Sequence, residues 1–384
     1  MRISGRSLST EKGIELKIKG GRIDAVEAIE LPSEAPYLSP GFIDLQVNGY
    51  RGVDYSREGL DKEDVPRMTT MLAAAGTTMH LPTLVTGPQD RLLKNLAVIN
   101  AALTFGGGLE QAIPGIHMEG PYLSGEDGPR GVHDFEEVRD PKVSEYEAWQ
   151  EASGGRIVMV TLAPERPGAL DFIERLADDG VVPAIGHTAA EPDRIREAVA
   201  AGARFSTHLG NGCHALLPRH RNYIWEQLAE DQLTAGLIVD GFHLPRSLVK
   251  VMASAKGIDN IAIVSDVAPL GGSSPGVDTW GKVSVQIHED GHLGVQGTEF
   301  LAGAGHLLDR GVAMLVRFTG ATLEQAVQTC SRNPAAVLGL EKLSKGLVPG
   351  APANLVLFDY KSDWEALRIL ETWREGELIW NSAR

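Results

Sequence analysis

Eight short apolar runs recur through the middle of this chain, each finishing on a polar residue or close to one. They are Phe42–Asn48, Thr77–Thr83, Ile113–Glu119, Ile157–Ala163, Val181–His187, Arg204–His208, Ala235–Asp240 and Ile261–Asp266. Between most of them the spacing is helical, as in Ile173-Glu174-Arg175-Leu176-Ala177 and Ile195-Arg196-Glu197-Ala198-Val199. Apolar runs that alternate with helices imply parallel strands, because parallel neighbours can be joined only by a crossover, usually a helix. Eight such units predict a closed (β/α)8 barrel of the TIM type. An open doubly wound sheet is the alternative, but no Gly-x-Gly-x-x-Gly follows any of the runs to support a dinucleotide fold.

A barrel of this kind often takes roughly 250 residues, and the chain has 384. The surplus includes both ends. Ile14-Glu15-Leu16-Lys17-Ile18-Lys19 alternates apolar and polar side chains before a Gly20-Gly21 turn. Asn354-Leu355-Val356-Leu357-Phe358-Asp359 and Glu377-Leu378-Ile379-Trp380 read as strands too. The expectation is a small β-sandwich domain formed from both termini, residues 1–38 and 345–384, flanking a barrel over 39–344.

Charge and cysteine content narrow the function. Lysine and arginine total 36 against 51 aspartates and glutamates, a formal charge of −15, which argues against a nucleic-acid surface. No apolar run approaches the ~20 residues of a membrane span, and the N-terminal residues Met1-Arg2-Ile3-Ser4-Gly5 lack a signal-peptide core. Cys213 and Cys330 are too few for a disulfide framework. The reading is a cytoplasmic protein with a small-molecule substrate and no nucleic-acid or membrane partner.

In barrels of this type the active site lies at the carboxyl ends of the strands. Here those ends carry Glu119, His187, His208, Asp240 and Asp266, with His243 just beyond. Two imidazoles, a carboxylate and an open position make a catalytic metal site. That donor set suits zinc, and also iron or another first-row ion. Four strands delivering ionisable groups to one barrel end is rarely an accident of packing.

The motifs around these residues follow in order along the chain. They are Pro40-Gly41-Phe42-Ile43-Asp44, His117-Met118-Glu119-Gly120-Pro121, Thr161-Leu162-Ala163-Pro164-Glu165, Gly186-His187-Thr188, Thr207-His208-Leu209-x-Asn211, Asp240-Gly241-Phe242-His243, Ser265-Asp266 and Leu301-Ala302-Gly303. In these motifs the chain resembles the N-acetylglucosamine-6-phosphate deacetylase family of the amidohydrolase superfamily. The resemblance runs from residue 40 to beyond 300, and His-x-Glu-Gly-Pro with Thr-His-Leu-x-Asn is its most specific part. It implies hydrolysis of the N-acetyl group of N-acetylglucosamine 6-phosphate to glucosamine 6-phosphate and acetate. It also implies a homodimer.

Residue roles follow from the resemblance. Many amidohydrolases hold a second metal on a His-x-His pair at the first strand, where this chain reads Gln46-Val47-Asn48. Amides are poor ligands for a borderline-soft cation, so one divalent ion per chain is expected on Glu119, His187 and His208. Zinc comes first; iron, manganese, cobalt and nickel are the alternatives. Asp266 matches the family's catalytic aspartate. His133, after Val132, matches a histidine that contacts substrate and steadies the oxyanion. Asn211, Gly212 and Arg219 match phosphate contacts, and Asp240, His243, Leu301, Ala302 and Gly303 match further substrate contacts. The family usually reads Asn-Ala-Met and later Arg-Glu-Pro-Gly, whereas this chain reads Asn211-Gly212-Cys213 and Arg219-His220-Arg221-Asn222. The departure touches the phosphate contacts more than the deacetylation. Cys213 has no paired base and reads as packing. The rival readings are a deacetylase of another N-acyl amino sugar or of an N-acyl-D-amino acid, and a non-catalytic sugar-binding relative.

Overall fold

The computed structural model describes residues 1–383. Eight parallel strands form the central sheet: β1 Phe42–Val47, β2 Thr77–Val85, β3 Ile116–Glu119, β4 Ile157–Leu162, β5 Val182–Ile185, β6 Phe205–Ser206, β7 Thr234–Leu237 and β8 Ile261–Ile263. They pair in sequence order. The ring closes just past β8, where Asp266 N donates to Gln46 O at 3.0 Å, Asn48 N donates to Val267 O at 3.0 Å, and Val47 bridges Val267 in parallel. All eight expected runs therefore carry strands. β1 is buried along its whole length, as expected of a strand covered on both faces. Ile43, Leu45, Met79, Leu81, Met159 and Phe205 belong to one buried cluster that joins several of these strands.

Seven of the eight strands are shorter than their apolar runs, β2 alone reaching past its run to Val85, and for β5 and β6 the cause of the shortening is visible. His187 and His208 adopt left-handed backbone, with φ of 50° and 29°, and an extended ladder cannot continue through such a residue. Helices cover the outside. Ala169–Asp178 buries Ala169, Phe172, Ile173 and Leu176, a stripe at helical spacing. Pro192–Ala201 begins with proline at its first turn, buries Ile195, Ala198 and Val199, and ends at Gly202. Among the described residues no helix is long and apolar enough to cross a membrane.

Both termini meet in a second sheet. Hydrogen bonding links its seven strands in one order: Glu377–Asn381, Arg368–Arg374, Leu355–Asp359, Tyr37–Pro40, Arg2–Ser7, Gly13–Lys19 and Arg22–Ile29. The expected small β unit is thus one continuous sheet, because Leu355–Asp359 pairs antiparallel with Tyr37–Pro40 and joins the two ends of the chain.

One element escapes the apolar-run pattern. Between β8 and the helix Leu308–Thr319 the chain makes a three-stranded antiparallel excursion of Gly276–Trp280, Val283–Ile287 and Leu293–Val295. Its strands are short, with Gly276–Thr279 exposed and Val285 and Ile287 buried.

Candidate metal and substrate site

Glu119, His187, His208 and Asp266 stand at or just past the carboxyl ends of β3, β5, β6 and β8, and all four are buried. Three of them have positive φ: 50° at His187, 29° at His208 and 50° at Asp266. Left-handed backbone at a non-glycine residue costs about 1–3 kcal/mol and persists only where its surroundings impose it. Here it turns each side chain out of the ladder and into the barrel mouth.

The result is a triangle of lone pairs. His187 Nε2 and His208 Nε2 are 3.0 Å apart, and Glu119 Oε1 lies 3.2 Å from the first and 3.0 Å from the second. His187 Nδ1–H donates to Pro129 O at 2.8 Å, which turns Nε2 toward Glu119 Oε1 and His208 Nε2. Three atoms about 2.0–2.1 Å from one tetrahedral zinc would lie about 3.3 Å apart. The triangle fits a divalent cation by both chemistry and edge length. His133 joins it, with Nε2 3.3 Å from His187 Nε2. Glu119, His133 and His187 also form a group whose ligand atoms all lie within 4.8 Å of one another.

The surroundings tune these groups. Burial opposes charge on Glu119, but hydrogen bonds to His187 and His208 outweigh it and hold the carboxyl well below its ordinary range. Burial, helped by the charge of Glu119, pushes Asp266 up to about 7. A cation in the triangle opposes that rise. Burial pulls His133 down to about 3, so it is neutral. Its Nδ1 lies 2.9 Å from the Thr86 hydroxyl. A hydroxyl donating there leaves Nε2–H as the ring's donor.

Gln46 and Asn48 reach into the site as donors. Gln46 Nε2 gives Glu119 Oε1 a 2.7 Å hydrogen bond, and Asn48 Nδ2 gives Asp266 Oδ1 another of 2.7 Å. Gly212, at φ 54°, lies so close to His187 that a Cβ there would be 2.7 Å from Nδ1. Asn211 Nδ2 donates to His208 O at 3.2 Å. Asp240 accepts from Phe242 N at 2.8 Å, His243 N at 2.9 Å and His243 Nδ1 at 2.8 Å. It therefore shapes the loop that carries His243. Gly303, at φ 69°, would place a Cβ 3.7 Å from Asp266 O, and Ala304 N donates to that carbonyl at 3.1 Å. Ala302 beside it is buried and Leu301 half-buried. Val132, at 37%, is exposed. Arg219 is exposed too, and among the described residues its only hydrogen bond is through its carbonyl, from Trp225 Nε1 at 3.3 Å.

Sequence reasoning missed Thr86, Pro129 and Glu165 as supports of this site. Glu165 accepts from Thr188 Oγ1 at 2.6 Å and Ala189 N at 2.7 Å, so it anchors the segment after His187. Its place in the Thr-Leu-Ala-Pro-Glu motif was the available signal. Pro129 acts through a carbonyl and left none.

The sequence profile of the amidohydrolase family matches residues 37–379. The chain belongs to the amidohydrolase family. This amidohydrolase is 34% identical over 357 residues to N-acetylglucosamine-6-phosphate deacetylase of Bos taurus, covering 89% of this chain and 83% of that one. It is 30% identical over 384 residues to N-acetylgalactosamine-6-phosphate deacetylase of Escherichia coli O157:H7, covering 98% of each. Among solved structures, N-acetyl-D-glucosamine-6-phosphate deacetylase of Mycobacterium smegmatis superposes with a TM-score of 0.86 at 30% identity, covering 98% of this chain and 99% of that one.

Proposed function

We propose that this amidohydrolase removes the acetyl group from N-acetylglucosamine 6-phosphate, giving glucosamine 6-phosphate and acetate. We assign one divalent ion, zinc first, to Glu119, His187 and His208. The observation that carries the reading is the lone-pair triangle of 3.0–3.2 Å with Asp266 and His133 beside it. We place this chemistry in a barrel unit of residues 39–344 and assign residues 1–38 and 345–384 to a separate small domain. A homodimer with no nucleic-acid or membrane partner completes the proposal.

When bound, the ion would supply Lewis acidity and lower the pKa of water to about 7. The protein's own groups handle protons and position. Asp266 takes the proton from the attacking water and returns it to the departing amine. Asn48 holds Asp266 Oδ1, which leaves Oδ2 for that transfer. Neutral His133 offers Nε2–H to the oxygen that becomes negative as the carbonyl is attacked. Glu119 is fixed by Gln46, and His187 by the Pro129 carbonyl, so neither needs to reorganise. His243, oriented by Asp240, contacts the sugar. Asn211, Gly212, Leu301, Ala302 and Gly303 line it, and Arg219 supplies a charge for the phosphate.

The E. coli relative named for N-acetylgalactosamine 6-phosphate, matched over 98% of both chains, favours that epimer as the second reading. Acetate release from both sugar phosphates and from both unphosphorylated sugars separates the cases. N-acetylglucosamine 6-phosphate is expected to have the highest kcat/KM. A higher value for the galactose epimer selects the second reading, and no acetate from any of the four overturns deacetylation.

A further inference from the structure

His133 and His243 lie on the loops that follow β3 and β7, four strands apart in an eight-stranded ring and hence across its mouth from one another. The excursion after β8 touches both loops. The turn after its first strand carries Lys282, whose Nζ lies 2.8 Å from Asp134 Oδ2 and 2.9 Å from Glu136 Oε2, one and three residues beyond His133. At the next turn His288 and His292 oppose each other, their ring centroids 3.8 Å apart and nearly parallel. The stack continues: His292 lies 4.8 Å from the ring of Phe242, whose other stacked neighbour is His306 at 5.5 Å. Phe242 is the residue immediately before His243.

Two further contacts seat this stack. Arg310 lies over the Phe242 ring, 5.3 Å from its centroid, and its Nε donates to Asp240 O at 2.7 Å. Gly291, in the turn between the stacked histidines, meets Gly305 so closely that a Cβ on Gly305 would be 1.9 Å from Gly291 O. No larger residue allows that approach, which sets the turn against His306.

We propose that the excursion is a strap across the barrel mouth, and that Phe242, clamped in the ring stack, is the positioning residue through which it sets His243. The proposal rests on the reading of His243 as a substrate contact. The two tethers are unequal. The Lys282 side chain is 72% exposed, and solvent weakens an ion pair there. The ring stack depends on flat surfaces meeting face to face, which leucine fills in volume but cannot reproduce.

The test is a double-mutant cycle on the full-length, metal-loaded protein with N-acetylglucosamine 6-phosphate, using Phe242→Leu, His243→Ala and the pair. Phe242→Leu is expected to raise KM about three- to tenfold with kcat within about twofold, as loss of uniform binding does. Phe242→Tyr keeps the flat ring and restores KM. Because Phe242 acts through His243, adding Phe242→Leu to His243→Ala costs nothing further. Losses that add independently overturn the proposal. Histidine ring NMR needs no turnover: His243 resonances are expected to move in Phe242→Leu and to return in Phe242→Tyr. Unmoved His243 resonances overturn the strap on their own. A wild-type protein that deacetylates nothing counts only against the deacetylase reading.

Discussion

Asn48 Nδ2 lies 2.7 Å from Asp266 Oδ1, and this hydrogen bond between two buried side chains joins the segment after the first barrel strand to the one after the last. A donor to a carboxylate favours its charged form, so Asn48 opposes the burial that pushes Asp266 up to about 7. Asn48→Leu removes the donor and raises that pKa further. A base works only when deprotonated, so the acid limb of kcat/KM against pH is expected to move to higher pH. A hydrogen bond to a charged group is worth about 1.5–3 kcal/mol, which corresponds to about one to two pH units. An unmoved limb would place the titrating group elsewhere.

Asp266→Asn keeps the size of the side chain and removes its basicity. A general base contributes about 10²- to 10⁴-fold, so kcat is expected to fall in that range while metal content stays at the wild-type level. Retention of more than about a tenth of kcat would exclude Asp266 as the base.

Elemental analysis is expected to find one divalent ion per chain, because Gln46 and Asn48 put amide donors where a second cation would need ligands. Removal by a chelator should abolish deacetylation and lower the melting temperature. Ligand at 1,000 times its Kd stabilises the folded state by about 4 kcal/mol. Two ions with full occupancy on protein ligands would refute the assignment.

Gly212→Ala places a methyl 2.7 Å from His187 Nδ1 in a backbone of φ 54°. Left-handed backbone alone costs an alanine roughly 1–2 kcal/mol, and the contact pushes the ring off the Pro129 carbonyl. Metal affinity is expected to fall at least about tenfold with secondary structure intact, measured by competition with a chromogenic chelator. Unchanged affinity would mean that the loop yields instead of the ring.

Arg219 is exposed and makes no side-chain hydrogen bond among the described residues, so Arg219→Ala is expected to leave the fold intact. If it binds the 6-phosphate, kcat/KM for the phosphorylated sugar falls about ten- to a hundredfold, and the unphosphorylated sugar is spared. Lysine restores only part of this, because it lacks the planar fork. Equal losses on both sugars would give Arg219 a role in loop structure only.

The barrel was legible because strands covered on both faces read as unbroken apolar runs, and the ends of those runs named Glu119, His187, His208 and Asp266. What stayed hidden acts through single atoms or through shape. The Pro129 carbonyl that orients His187 has no residue-type signal. Thr86 is one hydroxyl in a stretch that looks like any strand end. The excursion from Gly276 to Val295 has strands too short to stand out, although Val283, Val285 and Ile287 alternate with Ser284 and Gln286. Its links to the other loops, an ion pair from Lys282 to the His133 loop and ring stacking on Phe242 beside His243, join residues distant in sequence, a pairing that spacing does not encode. The left-handed conformations of His187, His208 and Asp266 were equally invisible, since histidine and aspartate enter that region more often than most residues but still only as an exception.

The pairing of Tyr37–Pro40 with Leu355–Asp359 also bears on how this protein is made. Tyr37–Pro40 lies in the interior of the terminal sheet, yet one of its two neighbours leaves the ribosome roughly 300 residues later. At about 5–20 residues per second, that is a wait of roughly 15–60 seconds. During synthesis the N-terminal strands hold an open edge, and open edges invite pairing with other chains. The barrel can assemble in the meantime, but its companion sheet closes only once Leu355–Asp359 has been made. Termination just before Leu355 would therefore leave an assembled barrel beside an unsealed edge prone to aggregation.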